Sequence, residues 1–199
     1  EKGYDVTGID DSVDMLELAR KEYPDYNFVK GNAIDFNLDK KADVIFSNAV
    51  FHWIDEEKQQ AMLNNVYDNL KEGGELVCEF GGYSCAESVH STLENVFAGH
   101  GLKYKRVFYF PTIGQYAPLL EKAGFRVEYA VLFDRPTKQV GDNGLANWIN
   151  MFVKKPFEGV NEDIKQEIIE ETVEKLRAKL YIDDCWIVDY VRIRFRAVK

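Results

Sequence analysis

The stretch between residues 6 and 16 limits the fold more than any other part of the chain. A short run with two β-branched residues ends in Asp10, and a helical pattern begins two residues later. Ser12 is a good N-cap residue, since its hydroxyl can accept a hydrogen bond from a backbone N–H of the first turn. Apolar residues then recur at near-helical spacing as far as Pro24, which stops the helix. The pattern predicts a strand, an acidic turn and a helix.

The same alternation continues through the first two thirds of the chain. Further strands are predicted at residues 27–31, 41–48, 76–80 and 125–133, separated by amphipathic helical patterns. The continuous apolar run Ala42-Asp43-Val44-Ile45-Phe46 predicts a strand covered on both faces. Alternating strands and helices are typical of an α/β fold with a mostly parallel sheet.

Three helix boundaries are predicted from local signals. Asp55 is expected to cap a helix that Gly73-Gly74 end. Thr112-x-x-Gln115 has the form of a capping box, but Pro118 follows it closely, so the helix is expected to start later.

The pattern changes after Pro136. Two helices are predicted, the second of them long, acidic and capped by Asn161, followed by one closing strand from Trp186 to Val198. Three arginines, at positions 192, 194 and 196, alternate with apolar residues on this strand. They are interpreted as the solvated face of an outer strand rather than an anion site. The chain therefore reads as one domain, 1–199, with a helical insertion at about 136–182.

Composition excludes several classes of function. The net charge of −9 argues against nucleic-acid binding, which needs clustered Lys and Arg. The three cysteines form no CxxC pair or His/Cys cluster, so neither a metal site nor a disulfide framework is indicated. No apolar run is long enough to cross a membrane. A cytoplasmic location is the default expectation.

Asp10 is the first candidate for a nucleotide contact. A carboxylate at the carboxyl end of a buried parallel strand is well placed to accept both hydroxyls of a ribose. An ordinary acidic turn between a strand and a helix would look the same on this stretch alone.

An ordered set of segments resembles the class I S-adenosylmethionine-dependent methyltransferases. The matching pieces are Gly8-Ile9-Asp10-x-Ser12-x-x-Met15-Leu16, Gly31-Asn32-Ala33, Asp43-Val44-Ile45-Phe46-Ser47-Asn48-Ala49-Val50-Phe51-His52-Trp53, Leu70-Lys71-Glu72-Gly73-Gly74 and Leu120-x-x-Ala123-Gly124-Phe125. Within the family, the chain is similar to the small-molecule branch that includes trans-aconitate methyltransferase. The resemblance implies a Rossmann-like fold with an antiparallel last strand, and S-adenosylmethionine as cofactor.

The resemblance also implies residue roles. Asp10 holds the ribose hydroxyls, and the remaining cofactor contacts fall on Asp11, Met15, Asn32, Ala33, Asn48 and Ala49. Asn32 stands where the family usually has Asp, so its amide oxygen accepts without charge assistance. Somewhat weaker cofactor binding is expected, since neutral hydrogen bonds contribute less than charged ones.

The family's glycine-rich first strand and its helix have no counterpart in this sequence. In the family that strand lies between the Asp10 strand and the Val44 strand. A gap there would leave backbone groups of both flanking strands unpaired. We therefore expect that a segment of roughly 30–50 residues, the length of a βα unit, belongs upstream of Glu1.

The expected acceptor is a small molecule, and the trans-aconitate resemblance suggests a carboxylate. The acceptor-site candidates are His52, Trp53, Tyr83, Arg135 and Trp148. His52 is a candidate general base or a packing residue, Trp148 on its apolar stripe is more typical of the core than of a substrate wall, and Arg135 either binds an acidic substrate or pairs with a neighbouring acid. A monomer or homodimer is expected.

Two alternatives remain. An NAD-dependent oxidoreductase of Rossmann type also places an acid at the ribose. A non-catalytic methyltransferase-like module that binds a partner would have the same fold.

Overall fold

The computed structural model describes residues 3–199 as an α/β molecule. The elements in chain order are β1 (Thr7–Asp10), α1 (Val13–Glu22), β2 (Asn27–Lys30), β3 (Ala42–Asn48), α2 (Gln59–Asp68), β4 (Leu70–Gly81), α3 (Glu87–Gly99), α4 (Ile113–Lys122), β5 (Arg126–Asp134), β6 (Thr137–Gln139), α5 (Gly144–Phe152), α6 (Glu162–Leu180), β7 (Tyr181–Ile182), β8 (Cys185–Val188) and β9 (Val191–Val198). Short 3₁₀ turns at Phe51–Trp53 and Glu56–Lys58 precede α2.

The central sheet has the strand order β3-β4-β9-β5. β3 and β4 are parallel, and β9 runs antiparallel to both β4 and β5. The antiparallel last strand predicted from the resemblance is therefore confirmed. The interpretation of this strand as an outer one is wrong, because β9 lies between two others and both of its edges are paired.

The segment between β5 and β9 contains strands as well as helices. β6, β8 and β7 form a separate antiparallel sheet beside α5 and α6. The single closing strand predicted from Trp186 to Val198 is thus two strands, β8 and β9, which belong to different sheets.

Two hydrophobic clusters form the core. The sheet cluster packs α2 and α4 against one face of the central sheet, with Phe80, Tyr116 and Phe195 fully buried. The insertion cluster joins α3, α5, α6 and β8, with Trp186 and Leu93 fully buried.

The opposite face of β3 is open to solvent. Val44 is 54% exposed and Phe46 is 71% exposed, so the prediction that this strand is covered on both faces is wrong for the residues the structure describes. β3 is also an edge strand, and β1 and β2 pair in parallel with each other in a sheet of their own. The expectation that a further strand belongs between β1 and β3 stays a prediction.

Helix boundaries follow local capping where a cap bond forms. The Ser12 hydroxyl accepts from the Met15 N–H at the start of α1, as predicted. The capping box of Thr112 and Gln115 is complete, so α4 begins there and contains Pro118, contrary to the later start predicted. Asp55 precedes a 3₁₀ turn without capping it, and β4 begins before Gly73.

Within residues 3–199, no helix combines the length and apolarity needed to cross a bilayer. The same residues contain no group of three or more His, Cys, Asp or Glu side chains placed to hold a metal ion.

Candidate functional site

The first group of candidate residues lies at the carboxyl ends of β1 and β2. The Oδ1 atom of Asp10 accepts from the Ser12 N–H at 2.8 Å, and the Asp10 carbonyl accepts from the Gly31 N–H. Asp11 accepts from the side-chain amide of Asn32 at 3.4 Å. These bonds bring Asp10, Asp11 and Asn32 close together, and their role in an adenosine site stays a prediction.

This first group fits the ribose and adenine of S-adenosylmethionine. Within the described residues only Oδ1 of Asp10 is engaged, so the second carboxylate oxygen is available to a ribose hydroxyl. The Asn32 oxygen accepts from the Ile34 N–H at 3.0 Å, which leaves its second lone pair for an amino group. The Met15 side chain is 54% exposed beside them, and Ala33 follows Asn32 directly.

The second group lies at the carboxyl end of β3. Ala49 has a φ of +60°, a left-handed conformation that is strained for a residue with a Cβ atom. Its N–H donates to the carbonyl of Glu79 at 2.8 Å, which ties the end of β3 to the end of β4. Strain of this kind is typical of functional sites.

Glu79 binds three arginine side chains beside this strand end. Its Oε1 accepts from Arg135 at 2.7 Å and from Arg192 at 3.3 Å, and its Oε2 accepts from both Nε and Nη2 of Arg194. Burial works against the charged form of Glu79, but the bonds from the arginines outweigh it and lower the pKa of the carboxyl. Arg192 also donates to the Asn48 side chain at 3.4 Å.

The sequence did not predict this arrangement of Glu79 with three arginine side chains. The interpretation as a solvated face is wrong for Arg192, which is buried against Glu79, whereas the side chains of Arg194 and Arg196 are exposed as predicted. The available signal was Glu79 itself, a lone charge within the apolar strand segment Leu76–Phe80.

His52 lies close to this group and is neutral. Burial, with a smaller contribution from the Arg192 charge, lowers the pKa of the imidazole to about 3. Its Nδ1 accepts from the Gly81 N–H at 3.3 Å, so the neutral ring carries its proton on Nε2. The ring therefore presents a hydrogen-bond donor, and the lone pair that a general base needs is already engaged.

An aromatic cluster surrounds His52. The ring of Trp53 packs edge-on against Phe108 at 4.7 Å between centroids, and Phe108 stacks on Phe110 at 5.4 Å. Gly81 is required here, since a Cβ atom would fall on the Phe110 ring. Phe108 and Phe110 were not singled out in the sequence, because they lie in a segment without regular structure.

An open groove of about 230 Å³ runs along this aromatic cluster. Its lining residues come from the Trp53 loop and the end of α5: Trp53, Asp55, Val107, Met151, Phe152, Lys154, Lys155 and Glu158. Trp53 is 49% exposed, which leaves part of its ring available to a ligand.

The two other acceptor-site candidates differ in burial. Tyr83 is 57% exposed in the loop after β4. Trp148 is only 5% exposed within the insertion cluster, and its indole N–H donates to the Tyr190 hydroxyl. The placement of Trp148 therefore favours a packing role over contact with substrate.

The predicted residues thus form two groups rather than one continuous set. In the first group, hydrogen bonds link the Asp10 carbonyl to Gly31 and the Asp11 side chain to Asn32. In the second group, Arg135 binds Glu79, Asn48 binds Arg192, and His52 binds Gly81. Within residues 3–199, no hydrogen bond joins the first group to the second. The sequence prediction that Asp10 and Asn48 contact one and the same cofactor therefore stays a prediction.

The parallel pairs β1–β2 and β3–β4, with the antiparallel last strand β9 beside β5, are typical of a Rossmann-like fold. A family model described as a methyltransferase domain matches residues 1–74. The whole-chain fold is also found in a solved structure of a methyltransferase from Bacillus halodurans. That structure has a TM-score of 0.62 and 18% identity, with 98% of this chain and 82% of that chain covered.

Two relatives agree with this class. An uncharacterised methyltransferase of Schizosaccharomyces pombe is 28% identical over 98% of this chain and 78% of its own length. A trans-aconitate 2-methyltransferase of Agrobacterium fabrum is 27% identical, over 76% of this chain and 60% of its own length. Residues 1–74 thus match a methyltransferase domain, and the chain is similar to the trans-aconitate methyltransferases.

Proposed function

We propose that the protein transfers the methyl group of S-adenosylmethionine to a carboxylate of a small-molecule acid. The donor side is supported by the Asp10, Asp11 and Asn32 group. Asp10 has a carboxylate oxygen available for a ribose hydroxyl, and the Asn32 amide lies where an adenine amino group can donate to it.

The state of His52 is the observation that supports a carboxylate acceptor. A phenol, an amine or a carbon acid often has to lose a proton during methyl transfer, whereas a carboxylate is already ionised at neutral pH. His52 offers an N–H donor and no basic lone pair. A site of this kind suits an acceptor that needs no base, and the trans-aconitate relative acts on such an acid by its name.

The residues of the chain align the acceptor with the methyl group and shield both from water, and they do not remove a proton from the acceptor. When bound, the cofactor supplies a methyl group on a positively charged sulfur that accepts the electron pair as the acceptor oxygen forms its new bond to carbon. Asn48 and Ala49 hold the methionine portion at the end of β3. His52 donates to the acceptor, and the rings of Trp53 and Phe108 exclude water.

Calorimetric titration of the full-length protein tests the proposal. S-adenosylhomocysteine is expected to bind, and NAD is expected not to bind. Binding of NAD instead would favour the oxidoreductase alternative. Binding of S-adenosylhomocysteine without methyl transfer to any acid in a panel of carboxylates would favour the non-catalytic module. A cytoplasmic location and a monomeric or dimeric state belong to the same proposal.

A further inference from the structure

The groove beside the aromatic cluster has an apolar wall that is left open to solvent. We define the groove wall as Trp53, Val107, Met151 and Phe152. Trp53 is 49% exposed and Met151 is 60% exposed, and the Phe152 ring packs against Trp53 at 6.2 Å between centroids. Large apolar side chains that gather at one exposed place are typical of a binding surface. The groove wall is therefore suited to an apolar ligand.

The charged residues that line the groove balance one another. Asp55 and Glu158 supply two negative charges, and Lys154 and Lys155 supply two positive charges. An ionised group leaves water only where an opposite charge compensates for its lost hydration, and this groove has no excess of either sign. The part of a ligand that fits the groove is therefore uncharged.

The size of the groove fits a group of about one ring. Its volume is about 230 Å³, whereas a cavity of about 150 Å³ lined by apolar side chains is enough to bind benzene. Trp53 and Phe152 favour an aromatic ring over an alkyl chain, because aromatic pairs gain stability beyond the area that they bury. The groove thus selects for shape as well as for polarity.

The groove begins beside the residue to which the acceptor carboxylate is assigned. The imidazole of His52 lies 5.7 Å from the Trp53 ring and 5.9 Å from the Phe108 ring, measured between centroids. A carbon–carbon bond spans about 1.5 Å, so a short alkyl linker reaches from a carboxylate at His52 to a ring on Trp53.

We propose that the acceptor is a monocarboxylic acid with an aromatic ring on a short alkyl linker. The carboxylate accepts from His52, the ring lies in the groove, and the groove wall determines the specificity. This inference rests on the proposed function, because His52 contacts the acceptor only if the protein methylates a carboxylate.

Equilibrium binding of two acids that differ only in the group offered to the groove tests the inference. The full-length protein, saturated with S-adenosylhomocysteine, is titrated with 3-phenylpropanoate and with butanoate, in which a methyl group replaces the ring. The wild type is expected to bind 3-phenylpropanoate about tenfold more tightly or better, because the ring buries apolar surface that the methyl group lacks. Propane-1,2,3-tricarboxylate is the third probe and is expected to bind less tightly than 3-phenylpropanoate.

Two variants of the groove wall and one control assign the preference to the groove. Met151→Glu places a negative charge in the groove and is expected to lose most of the preference for the ring. Trp53→Leu keeps an apolar side chain but removes the aromatic face, and it is expected to lose part of the preference. Ile182→Glu is the matched control, because Ile182 is an apolar residue of β7 that is 48% exposed and lies outside the groove lining. All three variants are expected to bind S-adenosylhomocysteine as the wild type does.

Three results overturn the inference. They are the absence of a preference for the ring in the wild type, tighter binding of the tricarboxylate than of 3-phenylpropanoate, and an equal loss of preference in Met151→Glu and Ile182→Glu. Failure of S-adenosylhomocysteine to bind the wild type would instead overturn the proposed function, so the two failures are distinguishable.

Discussion

At the scale of single residues, two buried histidines should make the molecule acid-sensitive. Burial lowers the pKa of His52 to about 3 and that of His90 to about 4, from an ordinary value of 6.5. Below pH 6.5 the unfolded chain binds these protons and the folded chain does not, so stability falls as the pH falls. The slope of the unfolding free energy against pH approaches about 1.4 kcal/mol per pH unit for each histidine. Urea unfolding between about pH 6.5 and pH 5 measures it.

The variant His52→Gln isolates one of the two contributions. Its amide oxygen can still accept from the Gly81 N–H, but the side chain no longer titrates. The slope is expected to decrease by about 1.4 kcal/mol per pH unit. His100→Gln, which replaces a histidine beside Glu171 near the surface, serves as the control. An unchanged slope in His52→Gln would mean that this imidazole is protonated in the folded protein.

Asp10 should dominate recognition of the cofactor. Asp10→Ala removes the carboxylate offered to the ribose, and hydrogen bonds to charged groups are each worth about 1.5–3 kcal/mol. We expect the affinity for S-adenosylhomocysteine to fall more than tenfold, as measured by calorimetry. Asp14→Ala, an acid in the first turn of α1, should bind almost as the wild type does. Equal affinities for the wild type and Asp10→Ala would remove this residue from the site.

At the scale of elements, the capping box of α4 is a test of local sequence signals. The Thr112 hydroxyl accepts from the Gln115 N–H at 3.2 Å, and the Gln115 side chain accepts from the Thr112 N–H at 2.9 Å. Thr112→Ala removes the hydroxyl acceptor and leaves the Gln115 N–H with only the Thr112 carbonyl at 3.2 Å, which should cost about 1 kcal/mol of unfolding free energy. Thr112→Ser retains the hydroxyl and should cost much less in the same urea titration. A similar loss in both variants would show that the methyl group, not the cap, is what matters.

The sequence predicted the elements whose determinants are local. Ser12 and Asn161 cap their helices as expected, and the apolar stripes of α2, α3 and α5 are buried. In contrast, whether β9 lies at the edge or inside the sheet depends on long-range pairing, which one strand's alternation does not encode. The exposure of Phe46 likewise depends on what packs against β3.

The candidate site shows the same division. Asp10 was predicted because strand and helix signals place it at a strand end. The role of Glu79 was missed because it depends on the register between β4 and β9, in which Glu79 pairs with Arg194. A charged residue within a buried strand needs a partner, but the sequence alone does not say which arginine supplies it.

At the scale of the whole molecule, the sheet cluster and the insertion cluster are joined by β8 and β9. The segment between these strands is held in place at Asp189, which accepts from the Ser88 hydroxyl at 2.6 Å at the start of α3. The backbone N–H of Arg135 donates to the Tyr190 carbonyl at 2.7 Å. These two bonds connect the insertion to the end of the sheet at which Glu79 and Arg192 lie.

This connection predicts that the two clusters unfold together. Leu63→Ala in the sheet cluster and Leu93→Ala in the insertion cluster each remove a fully buried side chain and should cost about 2–5 kcal/mol. Trp148 and Trp186 belong to the insertion cluster, so fluorescence reports mainly on that cluster, whereas far-ultraviolet circular dichroism reports on all helices and strands. In both variants the two signals should give coincident urea transitions, since β8 and β9 join the two clusters. A fluorescence transition that precedes the dichroism transition in Leu93→Ala, but not in Leu63→Ala, would show that the insertion is a separate folding unit. Glu79 and the arginines that bind it would then lie at the boundary between the sheet cluster and an independently stable insertion.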